Sequence, residues 1–320
     1  MEELKQYMEA NNFERFQPRE LYEPLDYILS LGGKRIRPLL TLMACRLFTD
    51  EIDQALPAAY AIEVFHNFSL LHDDIMDESP IRRGKATVHK KYDTNTAILS
   101  GDVMLVYAYE YLSKVPTEHL PSVLKTFNEV AIGVCEGQQM DMNFEKQEEV
   151  AEQSYLKMIE LKTSVLLYGA MKIGAIIGGA SEEEAELIGA FGRNTGIAFQ
   201  LQDDYLDSFG KQAKVGKRIG GDILQNKKTY LVITAMQKSD QKQLKHLKTL
   251  LSQTVEREKE EDKIEEVKSI FRALEIPNEM EKVIQFYSNK AIENLEATHL
   301  SEQQKKPLLN LLEKLMHREH

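Results

Sequence analysis

The sequence predicts an all-α fold, because apolar residues recur at three- and four-residue spacing along most of the chain while strict two-residue alternation is nearly absent. The prolines fall mostly between these apolar patterns or at their starts, where a helix tolerates them. No repeat of fixed period and no low-complexity linker interrupts the 320 residues. We therefore expect residues 1–320 to form a single helical domain.

Composition narrows the class of partner. With 40 Lys and Arg against 51 Asp and Glu, the formal net charge is −11, which argues against nucleic acid or an anionic membrane surface as the main partner. An anionic substrate must therefore meet local clusters of basic residues. Cys45 and Cys135 are the only cysteines, too few for a disulfide scaffold or a thiolate zinc site, which fits a reducing compartment.

Neither the N-terminus nor the most apolar segment has the features of a membrane-directing sequence. The first residues, Met-Glu-Glu-Leu-Lys-Gln, lack the basic start and apolar run of a signal peptide. The segment from Leu166 to Ala180 is interrupted by Lys172 and is too short to span a bilayer. We expect a soluble cytoplasmic protein without stable membrane insertion.

A basic turn, Gly32-Gly33-Lys34-Arg35-Ile36-Arg37, comes just before a helix that Pro38 can open. Backbone amides at a helix N-terminus bind phosphate, to which Lys34 adds a point charge and Arg37 a fork of donors. An ordinary surface turn has a similar composition. This element alone therefore leaves both interpretations open.

A long apolar pattern from Asp53 to Met76 predicts a buried helix that ends in Asp73-Asp74-x-x-Asp77. Like charges at this spacing cost about 0.2–0.5 kcal/mol per pair, and acids at a helix C-terminus typically cost about 0.3–1 kcal/mol more. Such a cluster needs cations, and Mg²⁺, which combines one or two carboxylates with substrate phosphates, fits that need. Solvated surface acids are the alternative for a single cluster.

Basic side chains flank this first acidic cluster. His66 lies seven residues before Asp73 and therefore on the same side of the helix, although a histidine on an apolar helix is more often a core group. After Pro80, Arg82 and Arg83 are expected to fold back over the carboxylates and supply forks for phosphate. Plain salt bridges with the aspartates are the alternative.

A second apolar helix ends in the same motif, Asp203-Asp204-x-x-Asp207. Two such helices facing each other would form an opposed cage of carboxylates. Downstream, the stretches Gly216–Asp222 and Asn226–Thr229 add a glycine-rich basic loop that can close over a bound anion. Several glycines between residues 169 and 179 also predict close helix packing or room for a ligand.

These motifs follow one another in the order found in a known family. The chain resembles the trans-isoprenyl diphosphate synthases, the farnesyl and geranylgeranyl diphosphate synthase family. The resemblance rests on the two acidic motifs, the Gly-Gly-Lys-x-x-Arg-Pro turn, the Arg-Arg-Gly triplet and a Lys-Thr pair. It implies a single large bundle of antiparallel helices around a deep central cavity, usually as a homodimer. The loop Lys-Arg-Ile-Gly-Gly-Asp departs from relatives that often have proline after lysine, and no basic C-terminal motif is recognisable.

The resemblance also implies roles for individual residues. Magnesium, with three ions when substrate is bound, would be held on an allylic diphosphate by Asp73, Asp74, Asp77, Asp203 and Asp204, with Asp207 as support. The residues expected to bind isopentenyl diphosphate are Lys34, Arg37, His66 and Arg83. Those expected to contact the allylic diphosphate are Arg82, Lys162, Lys217 and Lys227, while Thr163 and Gln200 would line the reacting centre.

The implied reaction is chain elongation by a prenyltransferase. Metal ions and cationic side chains would stabilise the charge on the departing diphosphate. The carbocation would alkylate the double bond of isopentenyl diphosphate in a dry apolar cavity, and loss of a proton would finish the step. A terpene cyclase shares the first acidic motif but has a different second one, and a noncatalytic subunit of a heteromeric synthase would be expected to lose acids.

The residues before the first acidic cluster predict product length. Phe68 and Ser69 stand five and four residues before Asp73, which is about 6–7.5 Å deeper along a helix. A growing chain anchored at the metal ions must pass the small Ser69 and meet the ring of Phe68. This arrangement resembles geranylgeranyl diphosphate synthases, so we expect a C20 product, with C15 as the alternative. Phe68 could also simply pack between helices.

Overall fold

The computed structural model describes residues 2–210, 219–253 and 255–316. In these ranges the chain is helical almost throughout, which confirms the all-α prediction. The helices are α1 (Glu2–Ala10), α2 (Arg19–Ser30), α3 (Ile36–Arg46), α4 (Leu56–Met76), α5 (Val88–Lys91), α6 (Thr94–Leu112), α7 (Leu120–Lys146), α8 (Glu152–Ile159), α9 (Val165–Ile177), α10 (Glu182–Phe209), α11 (Gly221–Leu224), α12 (Tyr230–Lys238), α13 (Gln241–Ser252), α14 (Glu260–Ala273), α15 (Ile276–Glu296) and α16 (Glu302–Met316). Among those helices, none combines the length and the apolar character that crossing a membrane requires.

The described residues divide into two compact units. The first contains residues 2–134, 166–192 and 297–300, and the second contains the described parts of 135–165, 193–296 and 301–316. The single domain expected for residues 1–320 stays a prediction.

The first unit is built on α4, which is buried around most of its circumference, as its nearly all-apolar sequence requires. Both α3 and α6 pack against it. Gly174 of α9 lies so close to α3 that an added Cβ would be 2.1 Å from the Thr41 carbonyl oxygen, and one at Gly178 would be 2.6 Å from that of Cys45. These glycines therefore serve close helix packing, one of the two uses predicted for them.

The second unit has its own core, formed by side chains of α8, the end of α10, and α12 to α15. Leu231, Val267 and Phe271 are fully buried in it. Tyr155 of α8 and Leu201 of α10 belong to the same cluster, so the helix that carries the second acidic motif is fixed from the side by packed apolar residues.

A small hairpin is the one described departure from helical structure that the periodicity did not predict. Strand β1 (Ile81–Arg82) pairs with the antiparallel β2 (Lys85–Ala86), and Arg82 lies opposite Lys85. Between them Arg83 and Gly84 both have positive φ, 51° and 75°, as a two-residue type I′ turn requires. Two-residue strands are too short to show alternation in a sequence.

The helix with the first acidic cluster also begins later than predicted. A 3₁₀ turn occupies Ile52–Ala55, and α4 starts at Leu56, with Pro57 among its first residues. Proline favours that position because its fixed φ suits a first turn and its missing N–H has no helical partner there. The predicted end of the helix at Met76 is confirmed.

Candidate active site

The predicted basic turn has positive backbone φ angles, which glycine adopts easily. Gly32 and Gly33 have φ of 76° and 145°, and Arg35, the residue before α3, has φ of 46°. The guanidinium group of Arg83 lies against Gly33, where an added Cβ would be 2.9 Å from Arg83 Cζ. The turn and the Arg-Arg-Gly triplet, far apart in sequence, are therefore in contact, and Lys34 is exposed beside them.

Arg37 and His66, two residues predicted to bind the same diphosphate, are also in contact. Arg37 Nη1 lies 3.1 Å from His66 Nε2. Burial, followed by the charges of Arg37, Arg83 and Arg82, holds the pKa of His66 well below its usual value, so the imidazole is neutral. Since arginine can only donate, Nε2 accepts, and the imidazole proton is assigned to Nδ1.

Two further observations describe the surroundings of Arg37. Its Nε atom is buried and has no hydrogen-bond partner among the residues that the structure describes. Burial lowers its pKa to about 10, opposed by the charge of Glu63, which is itself buried on α4 with a raised pKa because of burial. The guanidinium therefore stays charged at neutral pH and keeps one donor unsatisfied. Sequence reasoning missed Glu63, whose only signal is an acid within an apolar helix.

The first acidic cluster is at the end of α4, as predicted. Asp74 is only 2% exposed, and its two oxygens accept from Arg82 Nε at 2.7 Å and Nη2 at 2.8 Å. The hairpin does fold back over the carboxylates, and for Asp74 the salt-bridge alternative is the observed one. Asp73 and Asp77 are more exposed and share one face, where the Asp77 N–H donates to the Asp73 carbonyl at 2.8 Å.

The predicted chain-length residues lie one turn deeper on α4. Phe68 is partly buried, with its ring centroid 5.5 Å from that of Phe65 and 4.8 Å from that of His72. The hydroxyl of Ser69 donates to the His66 carbonyl at 2.9 Å, so its polar group is satisfied by its own helix. The local arrangement is a small side chain beside an aromatic ring that is held by two other rings.

In the second unit, Lys162 and Thr163 lie on a π-helical segment, Glu160–Ser164, between α8 and α9. Such segments are rare and are frequent at functional sites. Gly137 of α7 packs against this backbone, since an added Cβ would be 2.2 Å from Lys162 N. Lys162 Nζ forms an ion pair with Asp141 at 2.6 Å. The π geometry and Asp141 as a partner were not predicted, because a periodicity of 3.6 does not reveal one wider turn.

The second acidic cluster is near the end of α10, and its middle carboxylate is buried. Asp204 is 5% exposed, accepts from the Tyr155 hydroxyl, and accepts from Gln200 Nε2 at 3.1 Å. Burial raises the pKa of Asp204 to about 7, which the Tyr155 hydrogen bond opposes and the charge of Asp222 increases. Asp203 is exposed on the same turn. No sequence signal pointed to Tyr155, which is 49 residues from its partner.

Asp207 of α10 is hydrogen-bonded to residues at the start of α11. Its carboxylate accepts from the Asp222 N–H at 3.0 Å, and its carbonyl accepts from the Gly220 N–H at 2.6 Å. Lys227 is exposed and pairs with Asp222, Nζ to Oδ1, at 3.3 Å. Lys217 lies outside the described residues, so its predicted role stays a prediction.

The site residues thus form two groups, each within one unit. In the first unit the basic turn contacts Arg83, Arg37 contacts His66, and Arg82 contacts Asp74. The second unit contains the π segment, the second acidic cluster and Lys227.

Comparison with known proteins gives a consistent result. The polyprenyl synthetase family model matches residues 18–271. A short chain isoprenyl diphosphate synthase from Methanocaldococcus jannaschii is 42% identical over 251 residues, covering 78% of this chain and 74% of that protein. A geranylgeranyl diphosphate synthase from Methanosarcina mazei is 45% identical over 225 residues, or 69% of each chain. A crystal structure of a geranylgeranyl pyrophosphate synthase matches with a TM-score of 0.92 and 44% identity, covering 99% of this chain and 96% of that one.

Proposed function

Because the chain belongs to the polyprenyl synthetase family and is a trans-isoprenyl diphosphate synthase, we propose that it condenses isopentenyl diphosphate with an allylic diphosphate to a C20 product. The prediction of this family is confirmed. The product would be geranylgeranyl diphosphate, since a relative that is 45% identical is named a geranylgeranyl diphosphate synthase. The allylic substrate would be a dimethylallyl, geranyl or farnesyl diphosphate.

The observation that carries the C20 proposal is the pair Phe68 and Ser69. Counted along α4, they stand about 6–7.5 Å below Asp73, where the diphosphate end of the product would be held. Ser69 leaves space, and Phe68 is fixed between two other rings and can stop a growing chain. A C15 product is the alternative.

For isopentenyl diphosphate, we assign Arg37, His66, Arg83 and Lys34. In the described part of the chain, the buried Nε donor of Arg37 has no partner, and a buried donor is costly unless an acceptor arrives. The His66 proton at Nδ1 is a second donor. Arg83 is held against Gly33, so its charge is close to the basic turn that carries Lys34. These contacts support a single anion site in the first unit.

Magnesium fits the donors that the acidic motifs offer. No three His, Cys, Asp or Glu side chains in the described ranges are arranged to hold a metal ion by themselves. Mg²⁺ typically uses one or two carboxylates together with substrate phosphates. Asp73 and Asp77 offer such a pair, and Asp203 offers a third carboxylate. When bound, the ions would neutralise the departing diphosphate, and we expect three of them.

We propose a different role for the two buried aspartates, Asp74 and Asp204. Both oxygens of Asp74 are bonded to Arg82, and both oxygens of Asp204 are bonded to Tyr155 and Gln200. We therefore assign these two aspartates to fixing each motif in place, and direct metal binding to their more exposed neighbours. The side chains of Lys162, Lys217, Lys227 and Arg82 would face the allylic diphosphate. Thr163 and Gln200 would line the reacting centre, and Asp207 would support the second motif.

We also propose a homodimer, on the basis of an exposed apolar face in the first unit. Its members are Ile98, Leu99, Val106 and Tyr109 of α6 and Ile132 of α7. Val106 is 65% exposed and Ile132 60% exposed, unusual values for such side chains. The Tyr109 hydroxyl donates to Asn128 of α7 at 2.7 Å, which ties the two helices together. Light scattering of the wild-type protein and of Val106→Glu measures the oligomeric state. A monomeric wild-type protein would contradict the proposed homodimer.

The central experiment is product analysis. Purified protein is incubated with magnesium, radiolabelled isopentenyl diphosphate and each allylic primer in turn, and the dephosphorylated alcohols are separated by chromatography. We expect C20 as the main product. A main product of C15 or of more than C20 would contradict the chain-length proposal, and no elongation of any primer would contradict the proposed reaction.

In initial-rate measurements with the same substrates, Arg37→Ala should chiefly raise the KM for isopentenyl diphosphate.

A further inference from the structure

The ring of Phe68 is supported by His72, which stands one turn further along α4. The two rings meet edge to face, with centroids 4.8 Å apart. His72 also reaches the neighbouring helix α6, since its Nε2 lies 3.2 Å from the Ile98 carbonyl oxygen. A carbonyl can only accept, so the imidazole proton of His72 is assigned to Nε2. His72 therefore connects the side chain assigned as the floor to the backbone of another helix.

The position of His72 depends on a glycine. An added Cβ at Gly101 of α6 would be 2.2 Å from His72 Nε2 and 2.6 Å from Cδ2, distances that real Cβ atoms do not show. Gly101 is buried within a helix, where glycine is unfavourable compared with alanine and a packing reason is expected. That reason is the imidazole ring, which lies where a side chain at position 101 would be.

The other support of Phe68 is of a different kind. Phe65 is fully buried and packs edge to face on Phe127, with centroids 5.1 Å apart, so it belongs to the fixed core of the first unit. Phe68 is partly exposed and lies between this fixed ring and His72. Removal of His72 would leave Phe68 with one aromatic neighbour in place of two. The ring could then leave its position more easily.

We propose that His72 and Gly101 are positioning residues for product chain length: Gly101 makes room for His72, and His72 holds Phe68 in place as the floor. Neither residue has to touch the growing chain. The inference rests on the proposed role of Phe68. It extends the determinant of chain length from α4 to α6, at a residue whose only contribution is the absence of a side chain.

The experiment compares the ratio of longer alcohols to C20 alcohol for wild type, Gly101→Ala, His72→Ala, His72→Gln and Phe68→Ala, each supplied with farnesyl and isopentenyl diphosphates. We expect His72→Ala and Gly101→Ala to raise this ratio, roughly fivefold for the loss of one aromatic pair. His72→Gln, which keeps an N–H donor but loses the ring, should fall between wild type and His72→Ala. Gly189→Ala is the matched control.

Gly189 is a good control because an added Cβ there would also collide with an aromatic side chain, Tyr168, at 2.8 Å. It reports the general effect of crowding a helix glycine in the same unit, and its product ratio should equal that of wild type. A change in Gly189→Ala as large as in Gly101→Ala would overturn the inference. If Gly101→Ala does not fold, the two His72 variants, with their melting temperatures, carry the test.

Double variants decide whether the effect passes through Phe68. In a Phe68→Ala background, adding His72→Ala or Gly101→Ala should change the ratio no further. An equal additional rise would overturn the proposed route. Unchanged products in the His72 and Gly101 single variants, with longer products from Phe68→Ala, would overturn this inference and leave the floor intact. Unchanged products from Phe68→Ala would overturn the floor and this inference with it.

Discussion

Asp74 and Asp204 occupy the same position in two copies of one motif, but their buried carboxylates are satisfied differently. Asp74 meets the guanidinium of Arg82 in a two-point ion pair. Among the described residues, Asp204 meets two neutral donors, the Tyr155 hydroxyl and the Gln200 amide, and burial raises its pKa to about 7. Arg82 therefore places a positive charge against the first carboxylate, whereas burial leaves the second poised between two protonation states near neutral pH. Identical residues in identical spacing therefore differ in the charge of their partners, because residues outside each motif supply those partners.

The largest expected effect tests what the two motifs share. If Asp73 and Asp203 hold the metal ions, Asp73→Asn and Asp203→Asn should each lower kcat by roughly 100-fold or more, since an amide keeps the shape but loses the charge. Initial rates with saturating substrates at several magnesium concentrations measure this, and circular dichroism checks that the helices survive. Undiminished turnover in either variant, or full activity in the presence of a chelator, would contradict the proposed role of the magnesium ions.

The second prediction uses the raised pKa of Asp204. A carboxyl with a folded pKa of about 7 and an unfolded value of 3.8 binds its proton more tightly in the folded state. Its contribution to stability is complete below the unfolded value and is lost as the pH rises through about 7. Asp204→Asn cannot ionise and lacks this loss. From pH 5 to pH 8 it should therefore gain about 3 kcal/mol in unfolding free energy relative to wild type.

Chemical denaturation in the presence of a chelator measures that gain, so that metal binding does not contribute. Asp74→Asn is the matched control, because it removes the corresponding acid of the other motif. A wild-type minus Asp204→Asn difference that is the same at both pH values would show that Asp204 is ionised throughout, and the contrast between the motifs would then disappear.

The third prediction concerns the ion pair. Asp74→Asn leaves the guanidinium of Arg82 beside a buried amide, and removing one partner of a buried pair costs about 3–5 kcal/mol. The Arg82 side chain is 25% exposed, so water reduces this cost, and we expect about 2 kcal/mol. The double variant Asp74→Asn, Arg82→Gln should recover part of the loss. Denaturation midpoints of the single and double variants test this, and additive losses would contradict a direct coupling.

These partners also mark the limit of what the sequence could predict. The positions of both acidic clusters at helix ends follow from local periodicity. The return of Arg82 over Asp74, only eight residues before it, follows from the break at Pro80. Tyr155 is 49 residues from Asp204, and the role of Gly101 depends on the His72 ring of another helix. A single sequence carries no pattern for such contacts. The acids of the two motifs could be proposed as site residues because the motif itself contains the carboxylates.

The smallest expected effect isolates the phenol of Tyr155. Tyr155→Phe keeps the ring in the core of the second unit but removes the hydroxyl that donates to Asp204. Because that hydrogen bond holds the pKa of Asp204 down against burial, its loss should raise the pKa further and favour the protonated acid. The net cost should be about 1 kcal/mol at pH 8, where the ionised carboxylate loses a donor, and smaller at pH 5. Urea denaturation at both values measures it, with Tyr205→Phe as a control on the same unit. An equal loss at both pH values would mean that the hydroxyl does not tune the carboxyl.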